Sequence, residues 1–245
     1  MPETPAYLRI VAELRAQITD GTLAPGAKLP TEAQLRQRFD VSTTVVKNAL
    51  GILQSEGLIE GRRGSGNYVR EVRRITRNVM ARAFRTRSPF AEDAEQAGTR
   101  PTWEHDSQHT RADRAVAARL GIEPGDPVMC TRYRFFADGE PVQLSVSWEP
   151  LAVTGGTDVE WPEDGAAVGV VPRMDRIGVR IDEFEERVTS RPATGEEIEA
   201  LNLSPRGAYV LVVARTYLAG GAPVETADIV FPGHRYEFVY RVPVD

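Results

Sequence analysis

The chain has 245 residues, is 41% hydrophobic and 27% charged, and carries a formal net charge of -5, a composition that excludes wholesale disorder. A single cysteine excludes an intrachain disulfide framework, and no apolar run reaches the ~20 residues of a membrane-spanning helix. One or two cytoplasmic domains are therefore expected. Taken alone, the acidic balance also argues against a nucleic-acid partner.

The charge is unevenly distributed along the chain. Residues 1–87 carry 15 basic and 8 acidic side chains, a net of +7, whereas residues 88–245 carry 15 basic and 27 acidic ones, a net of -12. A basic first third beside an acidic remainder suggests nucleic acid at one end. A solvated, arginine-rich linker at residues 70–87 would supply much of the same excess, so charge alone leaves both interpretations open.

The periodicity of the first 70 residues predicts three helices followed by a hairpin. Apolar residues recur at helical spacing over residues 7–18. Thr31 begins a second helix with a capping-box pattern, and Ser42 caps a third helix with a broad apolar side. Residues 58–69 are typical of two short strands joined by a basic, glycine-rich turn.

Two helices separated by a tight turn and followed by a basic hairpin describe a winged helix-turn-helix. The second helix of the pair would enter the major groove, and the hairpin tip would contact the minor groove or flanking phosphates. An ordinary small helical domain with a solvated hairpin is the alternative. The candidate DNA-contacting residues are Thr31, Arg36, Ser42, Thr43, Thr44, Lys47, Arg62, Arg63, Gly64 and Ser65.

The region contains the motifs Pro25-Gly26, Leu29-Pro30-Thr31-Glu32, Val41-Ser42, Glu56-Gly57-Leu58-Ile59 and Gly64-Ser65-Gly66. Together these motifs resemble those of the GntR family of bacterial repressors. The resemblance covers nearly all of residues 1–70 and implies a DNA-binding domain. The family usually has Arg and Thr where this chain has Thr43 and Val45, so the base contacts stay undefined. Lys47 stands where a second Arg is common, which favours a phosphate contact.

The remaining residues predict a strand-rich second domain. Residues 71–87 lack a clean apolar face and are expected to form a linker or a short strand. Residues 88–245 alternate a few helices with many strands, which is typical of an α+β domain with a largely antiparallel sheet. Helices are predicted at 88–98, 115–120 and 194–201, strands at 128–137, 141–149, 177–190, 209–218, 223–230 and 236–242, and an irregular loop at 153–164.

The second region contains, in this order, the motifs Arg132-Tyr133-Arg134, Asp138-Gly139-Glu140-Pro141 and Pro232-Gly233-His234-Arg235-Tyr236. This motif order resembles that of the UTRA effector domain of HutC-type GntR regulators. The resemblance implies a chorismate-lyase-like fold that binds a small, often anionic effector between sheet and helices. It also implies a homodimer, whose two-fold symmetry predicts a palindromic operator.

Two alternating arginines are the main candidates for an anion site. Arg132 and Arg134 share one face of a strand, where two guanidinium groups could bind a carboxylate or phosphate. Pairing with surface carboxylates is an equal alternative. Departures from the family pattern, such as Ala91, favour a larger or more apolar anion over an amino-sugar phosphate. The candidate effector-binding residues are Phe90, Arg132, Arg134, Ser145, Glu225 and Phe231.

No metal, cofactor or catalytic residue is predicted. Three histidines and one cysteine are too few for a typical structural zinc site, and the acidic residues at 182–186 fit a solvated strand edge. The sequence therefore predicts a DNA-binding transcriptional regulator, a repressor released or modulated by its effector. The alternative is a chorismate-lyase-like enzyme with an appended DNA-binding domain, although no nucleophile–base pair is evident. The effector, the operator sequence and the sign of the response are not defined by the sequence.

Overall fold

A computed structural model describes residues 4–62, 64–70, 74–79, 88–164, 168–205 and 208–242. These residues form two compact units. The first contains residues 4–70 together with Pro192–Tyr209, and the second contains the rest. Helices and strands are mixed in the chain, and the predicted α+β class is confirmed.

The first unit contains the predicted three helices and hairpin. The elements are α1 (Ala6–Thr19), α2 (Glu32–Phe39), α3 (Thr43–Ser55), β1 (Ile59–Arg62) and β2 (Gly66–Val69). The two strands pair antiparallel, with Ile59 opposite Val69. The apolar faces of the three helices and the hairpin share one core, formed by Ile10, Val11, Leu14, Leu29, Leu35, Val46, Ala49, Leu50, Leu53, Ile59 and Val69.

Side-chain caps begin α2 and α3 where the sequence predicts them. The amide of Gln34 donates to Thr31 Oγ1 at 3.3 Å, and the amide of Thr31 donates to Gln34 Oε1 at 2.8 Å, which completes the capping box. Ser42 Oγ accepts a hydrogen bond from the amide of Val45 at 3.4 Å. Asp40 ends α2 with a φ of 50°, and this left-handed residue makes the tight turn into α3.

The second unit is built around a six-stranded sheet in the order β4-β5-β6-β9-β8-β7. The pairs β4–β5, β5–β6, β6–β9 and β8–β9 are all antiparallel. The elements from residue 74 onward are β3 (Ile75–Asn78), α4 (Pro89–Gln96), β4 (Pro101–Arg111), α5 (Arg114–Leu120), β5 (Pro127–Ala137), β6 (Glu140–Pro150), α6 (Leu151–Thr154), α7 (Val170–Arg176), β7 (Glu183–Pro192), α8 (Gly195–Ala200), β8 (Tyr209–Ala219), β9 (Ala222–Pro232) and β10 (Tyr236–Val239).

The cross-strand register divides the side chains of this sheet between two faces. Tyr133 stands opposite Ser145, and Ser145 stands opposite Ile229, so these three share a face. Arg134 and Leu144 are paired on the other face. Part of that second face is covered by α5, whose buried apolar residues cluster with Trp148.

Four parts of the structure differ from the sequence-based predictions. The edge strand β4 was not predicted, because its residues are mostly exposed and show no apolar alternation. The strand predicted at 177–190 begins later, at Glu183, and α6 begins at Leu151 beside the predicted loop. By contrast, β3 lies within residues 71–87, which are expected to form a linker or a short strand. The helix α7 was not predicted at all.

The cap of α5 gives a test of the fold. Asp113 Oδ1 accepts a hydrogen bond from the amide of Val116 at 2.8 Å. We expect Asp113→Ala to lower the free energy of unfolding by about 1 kcal/mol because this donor loses its partner. For a domain of this size, the loss corresponds to a melting temperature about 2–4 °C lower by differential scanning calorimetry. Asp113→Asn, which keeps the cap without the charge, should retain most of the stability, and an equal loss in both variants would contradict the capping account.

Candidate functional site

The first candidate site is the surface formed by α2, α3 and the β1–β2 hairpin. Thr44 and Lys47 are exposed on the first two turns of α3, and Thr43 is half-buried at its first position. Arg36 is exposed on α2. Since the first turn of a helix has amide groups without intrahelical partners, the N-terminus of α3 adds a feature that favours phosphate.

The hairpin presents a basic, aromatic surface. The Arg62 guanidinium lies 4.3 Å from the centre of the Tyr68 ring, and Lys28 Nζ lies 5.8 Å from the same centre. A hydrogen bond with Ser65, with the nearby charges of Lys28 and Arg62, lowers the pKa of Tyr68. Gly64, in the turn itself, has a φ of 73°, a left-handed conformation that favours glycine.

Lys28 is a basic residue of this surface that the sequence analysis did not identify. It is bridged to Tyr68, and the amide of Leu29 donates to the Asn67 carbonyl at 2.9 Å. The chain before α2 therefore runs along the hairpin as an additional extended segment. Only this long-range pairing brings Lys28 to the hairpin, so local sequence patterns could not reveal it.

The predicted DNA-contacting residues lie on this surface, apart from Arg63, which falls outside the described residues. Thr31, Arg36, Ser42, Thr44, Lys47, Arg62, Gly64 and Ser65 are exposed. The hydroxyls of Thr31 and Ser42 are already used as helix caps, so their contribution to DNA binding would come from the backbone that they position. The DNA contacts themselves stay predictions.

The second candidate site is a cavity of about 100 Å³ in the second unit, lined by one face of the sheet, the start of α4 and the start of α7. Ser88 caps α4 and lines the cavity with its neighbours Pro89 and Phe90. The sheet contributes four consecutive alternate positions of β6, all buried. These are Gln143, Ser145, Ser147 and Glu149.

An aromatic group forms one wall of the cavity. The ring centre of Phe135 lies 4.8 Å from that of Phe90, 5.4 Å from that of Tyr133 and 6.5 Å from that of Trp103. Glu163 accepts hydrogen bonds from Trp103 Nε1 at 3.0 Å and from the Tyr133 hydroxyl at 3.2 Å. Burial, together with the nearby Glu163 carboxylate, raises the pKa of Tyr133, which therefore stays a neutral donor.

Two arginine–glutamate pairs form the polar side of the cavity. Arg173 donates to both carboxylate oxygens of Glu149, at 2.6 and 2.9 Å, and also to the carbonyl of Val159. Arg215 Nη2 donates to Glu225 Oε1 at 2.8 Å. Burial raises the pKa of Glu149 and of Glu225, partly offset by the arginines beside them.

Three polar atoms of these pairs are buried without a hydrogen-bond partner among the described residues. They are Glu225 Oε2, Arg215 Nε and Arg173 Nε. A buried polar atom without a partner costs about 1–3 kcal/mol of stability. A ligand that offers an acceptor to the guanidinium groups and a donor to the Glu225 carboxylate would remove this cost, so the arrangement can bind a polar molecule.

The cavity contains half of the predicted effector-binding residues. Phe90, Ser145 and Glu225 line it. Phe231 stands on the same sheet face but packs against Tyr236 and Phe238 instead of lining the cavity.

Arg132 and Arg134 share one face of β5, as their spacing predicts, but it is the face opposite to the cavity. Their cross-strand partners on β4 are Asp106 and Glu104, so the register sets acidic residues beside them. The Arg134 guanidinium lies 5.0 Å from the centre of the Phe136 ring. The two arginines do not line the cavity because successive side chains of a strand point to opposite faces. Tyr133 and Phe135 point toward the cavity, so Arg132 and Arg134 point away from it.

The charged residues that do line the cavity were missed by the sequence analysis. Arg173 lies on the unpredicted helix α7, and Arg215 alternates with apolar residues in β8. One sequence pattern could have indicated the polar lining of the cavity. In the run from Gln143 to Glu149, polar residues alternate with apolar ones along the strand. Such a pattern suggests a half-solvated strand, yet here the polar side is the buried one.

A second, larger groove of about 930 Å³ lies in the same unit and shares Tyr217 with the cavity. Phe184, Tyr217 and Tyr240 contribute its aromatic lining. The smaller cavity is the better candidate site because partly paired buried charges converge on it.

The described residues contain no cluster of three or more His, Cys, Asp or Glu side chains that could hold a metal ion. None of the described helices is long and apolar enough to cross a membrane. His109 instead contacts Glu160, with a distance of 2.7 Å from Nε2 to Oε1, and its ring stacks on Trp161.

Two family models match the chain. Residues 6–69 match the bacterial regulatory proteins of the gntR family, and residues 96–237 match the UTRA domain. Among characterised relatives, the chain is 30% identical to the HTH-type transcriptional repressor NagR of Bacillus subtilis, covering 96% of this chain and 94% of NagR. It is 28% identical to the Mannosyl-D-glycerate transport/metabolism system repressor MngR of Escherichia coli, covering 97% and 96%.

Solved structures of regulators are also similar to this chain. A crystal structure of a GntR-family transcriptional regulator is 46% identical in sequence, covers 99% of both chains and superposes with a TM-score of 0.70. PhnF from Mycobacterium smegmatis is 20% identical and superposes with a TM-score of 0.62 over 96% of this chain and 100% of PhnF. The second similarity concerns the fold alone.

The buried Arg173–Glu149 pair gives a test of the cavity. The two side chains are 4% and 2% exposed. We expect Arg173→Met to lower the free energy of unfolding by about 3–5 kcal/mol because the Glu149 carboxylate loses its partner. The measurement is urea unfolding followed by tryptophan fluorescence.

The same variant should show a characteristic pH dependence. Loss of Arg173 raises the pKa of Glu149 further, so the folded variant holds a proton that the unfolded chain releases above about pH 4.3. Its stability should therefore fall more steeply than that of the wild type as the pH rises above about 4.3. The matched control is Arg176→Met on the same helix, whose exposed pair with Asp158 should contribute less than about 1 kcal/mol. A loss in Arg173→Met no larger than in this control would contradict the account.

Proposed function

Because the chain belongs to the GntR family of bacterial regulatory proteins and carries a UTRA domain, we propose that it is a homodimeric repressor of transcription whose binding to a palindromic operator is controlled by a small effector. The observation that carries this proposal is the combination, in one chain, of an exposed recognition helix with a cavity on which buried charged residues converge. The recognition helix lies within residues 1–70 and the cavity lies within residues 88–245. Residues 71–87 connect these two regions of the chain. As a DNA-binding regulator, the protein works in the cytoplasm.

The operator contacts follow from the exposed residues of the first unit. Thr44 and Lys47 on α3 contact bases and phosphates in the major groove, and the N-terminal amides of α3 bind a further phosphate. The hairpin with Arg62 and Lys28 contacts the minor groove or flanking phosphates. A homodimer presents this surface twice, which makes a palindromic site the matching operator.

The effector is a small anion that also carries a hydroxyl or amine group. The free Nε donors of Arg173 and Arg215 and the N-terminal end of α4 favour an anionic group. The unpartnered oxygen of Glu225 favours a donor on the ligand. The aromatic wall around Phe135 favours a ligand that has a flat apolar face. This assignment replaces Arg132 and Arg134 as the anion-binding groups.

Effector binding requires the cavity to expand. Its volume of about 100 Å³ is well below that of common ligand sites, which are roughly 300–1,000 Å³. Glu163, Val168 and Gly169 line the cavity together with the sheet, and these residues have to shift to admit a metabolite. A movement that accompanies binding is the means by which an effector changes the state of a regulator.

The regulator proposal is favoured over a chorismate-lyase-like enzyme by the cavity chemistry. Of the five charged residues that line the cavity in the described part of the chain, four are paired with one another, Arg173 with Glu149 and Arg215 with Glu225, and Glu163 accepts hydrogen bonds from Trp103 and Tyr133. Catalysis would require a free acid, base or nucleophile in reach of a substrate. Conversion of a ligand into product by the purified protein would favour the enzyme.

The cavity proposal is tested with a ligand screen and a blocking variant. A panel of hydroxylated carboxylates and phosphates is screened by thermal shift. We expect a ligand that raises the melting temperature of the wild type to change operator affinity by about 5–150-fold in fluorescence anisotropy. In Ser145→Trp, the new side chain fills the cavity. The ligand should then change neither the melting temperature nor the operator affinity of this variant, and its operator affinity without ligand should equal that of the wild type. The control Val188→Trp, at an exposed position, should behave as the wild type. An unchanged ligand response in Ser145→Trp would place the effector elsewhere.

The role of Lys47 is tested by the salt dependence of DNA binding. Lys47→Ala should weaken binding to an operator duplex selected from a random library, because one phosphate contact per half-site is lost. The slope of log K against log salt should decrease by about 0.9 for each lost contact. Arg9→Ala, which removes an exposed charge on α1, is the control with an unchanged slope. A wild-type slope in Lys47→Ala would exclude a phosphate contact.

A further inference from the structure

The charges that line the cavity do not balance. Among the described residues of its lining, three carboxylates face two guanidinium groups, so one negative charge is in excess when all five are ionised. The guanidinium groups are paired, Arg173 with Glu149 and Arg215 with Glu225. The excess negative charge therefore belongs to Glu163.

Both oxygens of Glu163 are held by neutral donors. Trp103 Nε1 donates to Oε2 at 3.0 Å, and the Tyr133 hydroxyl donates to Oε1 at 3.2 Å. These bonds fix the carboxylate in place but supply no positive charge. A carboxylate has about four acceptor positions, so each oxygen can accept a further hydrogen bond. A ligand group that both donates hydrogen bonds and carries a positive charge is the complement of this side chain.

The backbone of Glu163 also indicates that its side chain has a role. Its φ is 70°, in the left-handed region that residues with a Cβ atom rarely adopt. Glycine would adopt this conformation at less cost. Such strain is concentrated at ligand sites, where the surroundings hold the residue in place. The carboxylate is what this position gains from a glutamate.

Aromatic rings surround the same carboxylate. Tyr133 and Trp103, which hold Glu163, belong to the aromatic wall of the cavity together with Phe135. Aromatic faces attract organic cations, and aromatic rings form the binding sites of many ammonium ligands. The cavity lining already contains one such contact, because the Arg215 guanidinium lies 4.4 Å from the centre of the Tyr217 ring.

The groups that favour an anion lie toward a different part of the lining. Tyr133 stands opposite Ser145 on β6, and Glu149 follows four residues further along that strand, about 13 Å away at ~3.3 Å per residue. Arg173 is bound to Glu149, and its Nε is a buried donor without a partner among the described residues. The lining is therefore bipolar, with a guanidinium toward one end and the excess carboxylate toward the other.

We propose that the effector carries an ammonium group, which binds between Glu163 and the aromatic wall while the anionic group of the effector binds toward Arg173. This inference rests on the proposed function, since it takes the cavity to be the effector site, and it selects an ammonium over a hydroxyl. Glu225 does not make this selection. Its charge is matched by Arg215, so its buried, unpartnered Oε2 accepts an N–H or an O–H group alike.

The experiment compares ligands that differ only in an amine and a hydroxyl. The matched pairs are phenylalanine with phenyllactate, γ-aminobutyrate with γ-hydroxybutyrate, and phosphoethanolamine with ethylene glycol phosphate. Dissociation constants are measured by isothermal calorimetry on the full chain without DNA. In at least one pair we expect the amine to bind the wild type about tenfold more tightly than its hydroxyl counterpart, because only the amine brings a positive charge to Glu163.

Glu163→Gln tests which carboxylate makes the selection. This variant keeps the side-chain size and removes the charge, so the preference for the amine should fall to about twofold or less. The matched control is Asp164→Asn, which removes an exposed carboxylate from the neighbouring position and should keep the full preference. An undiminished preference in Glu163→Gln would overturn the inference.

A second variant keeps the test decisive if Glu163→Gln does not fold. Phe135→Leu removes one ring of the aromatic wall and should weaken binding of the amine about threefold more than binding of its hydroxyl counterpart. Equal losses for both ligands would contradict an ammonium beside the aromatic wall.

The outcomes separate this inference from the proposed function. If no amine of the panel binds the wild type at millimolar concentration, or if each hydroxyl counterpart binds as tightly as its amine, the ammonium site is wrong. A ligand without an amine that changes operator affinity through the cavity would overturn the ammonium site and leave the regulator function intact. An amine that binds through Glu163 and leaves operator affinity unchanged would contradict the regulator function instead.

Discussion

The buried arginine–glutamate pairs of the second unit are the constraint on which its architecture depends. A buried charge is tolerated only beside a partner, so each pair requires the elements that supply its two side chains to stay together. Helix α7 is thereby joined to β6, β8 to β9, and β3 to β7. The face of the sheet between them is polar but withdrawn from water, which suits the binding of a small polar molecule. The pairs are Arg173–Glu149, Arg215–Glu225 and Arg77–Glu186.

The cavity and the strand β3 share one apolar core within the second unit. Phe90 lines the cavity and belongs to the same apolar cluster as Ile75 of β3. Gln143, which also lines the cavity, accepts a hydrogen bond from the Tyr236 hydroxyl of β10 at 3.4 Å. Binding of an effector in the cavity would therefore change contacts in the core that holds β3 and β10.

The first unit could be predicted almost completely from the sequence, because its signals are local. Thr31 and Ser42 begin their helices as expected, and the glycine-rich turn joins β1 and β2. The cavity could be predicted only in part. The alternation of Arg132 and Arg134 established that they share a face, but which face is buried depends on packing by distant helices. The partner of Arg77 lies on β7, more than one hundred residues along the chain, so no local pattern could show that Glu186 is buried.

The central claim is that effector and operator bind to two alternative states of one protein. Thermodynamic linkage then requires the two ligands to influence one another by the same factor. The most direct test is isothermal calorimetry of an effector identified by the thermal-shift screen, with the free protein and with the protein saturated by its operator duplex. The account predicts that the operator changes effector affinity by the factor with which the effector changes operator affinity. Equal effector affinities with and without operator would contradict it.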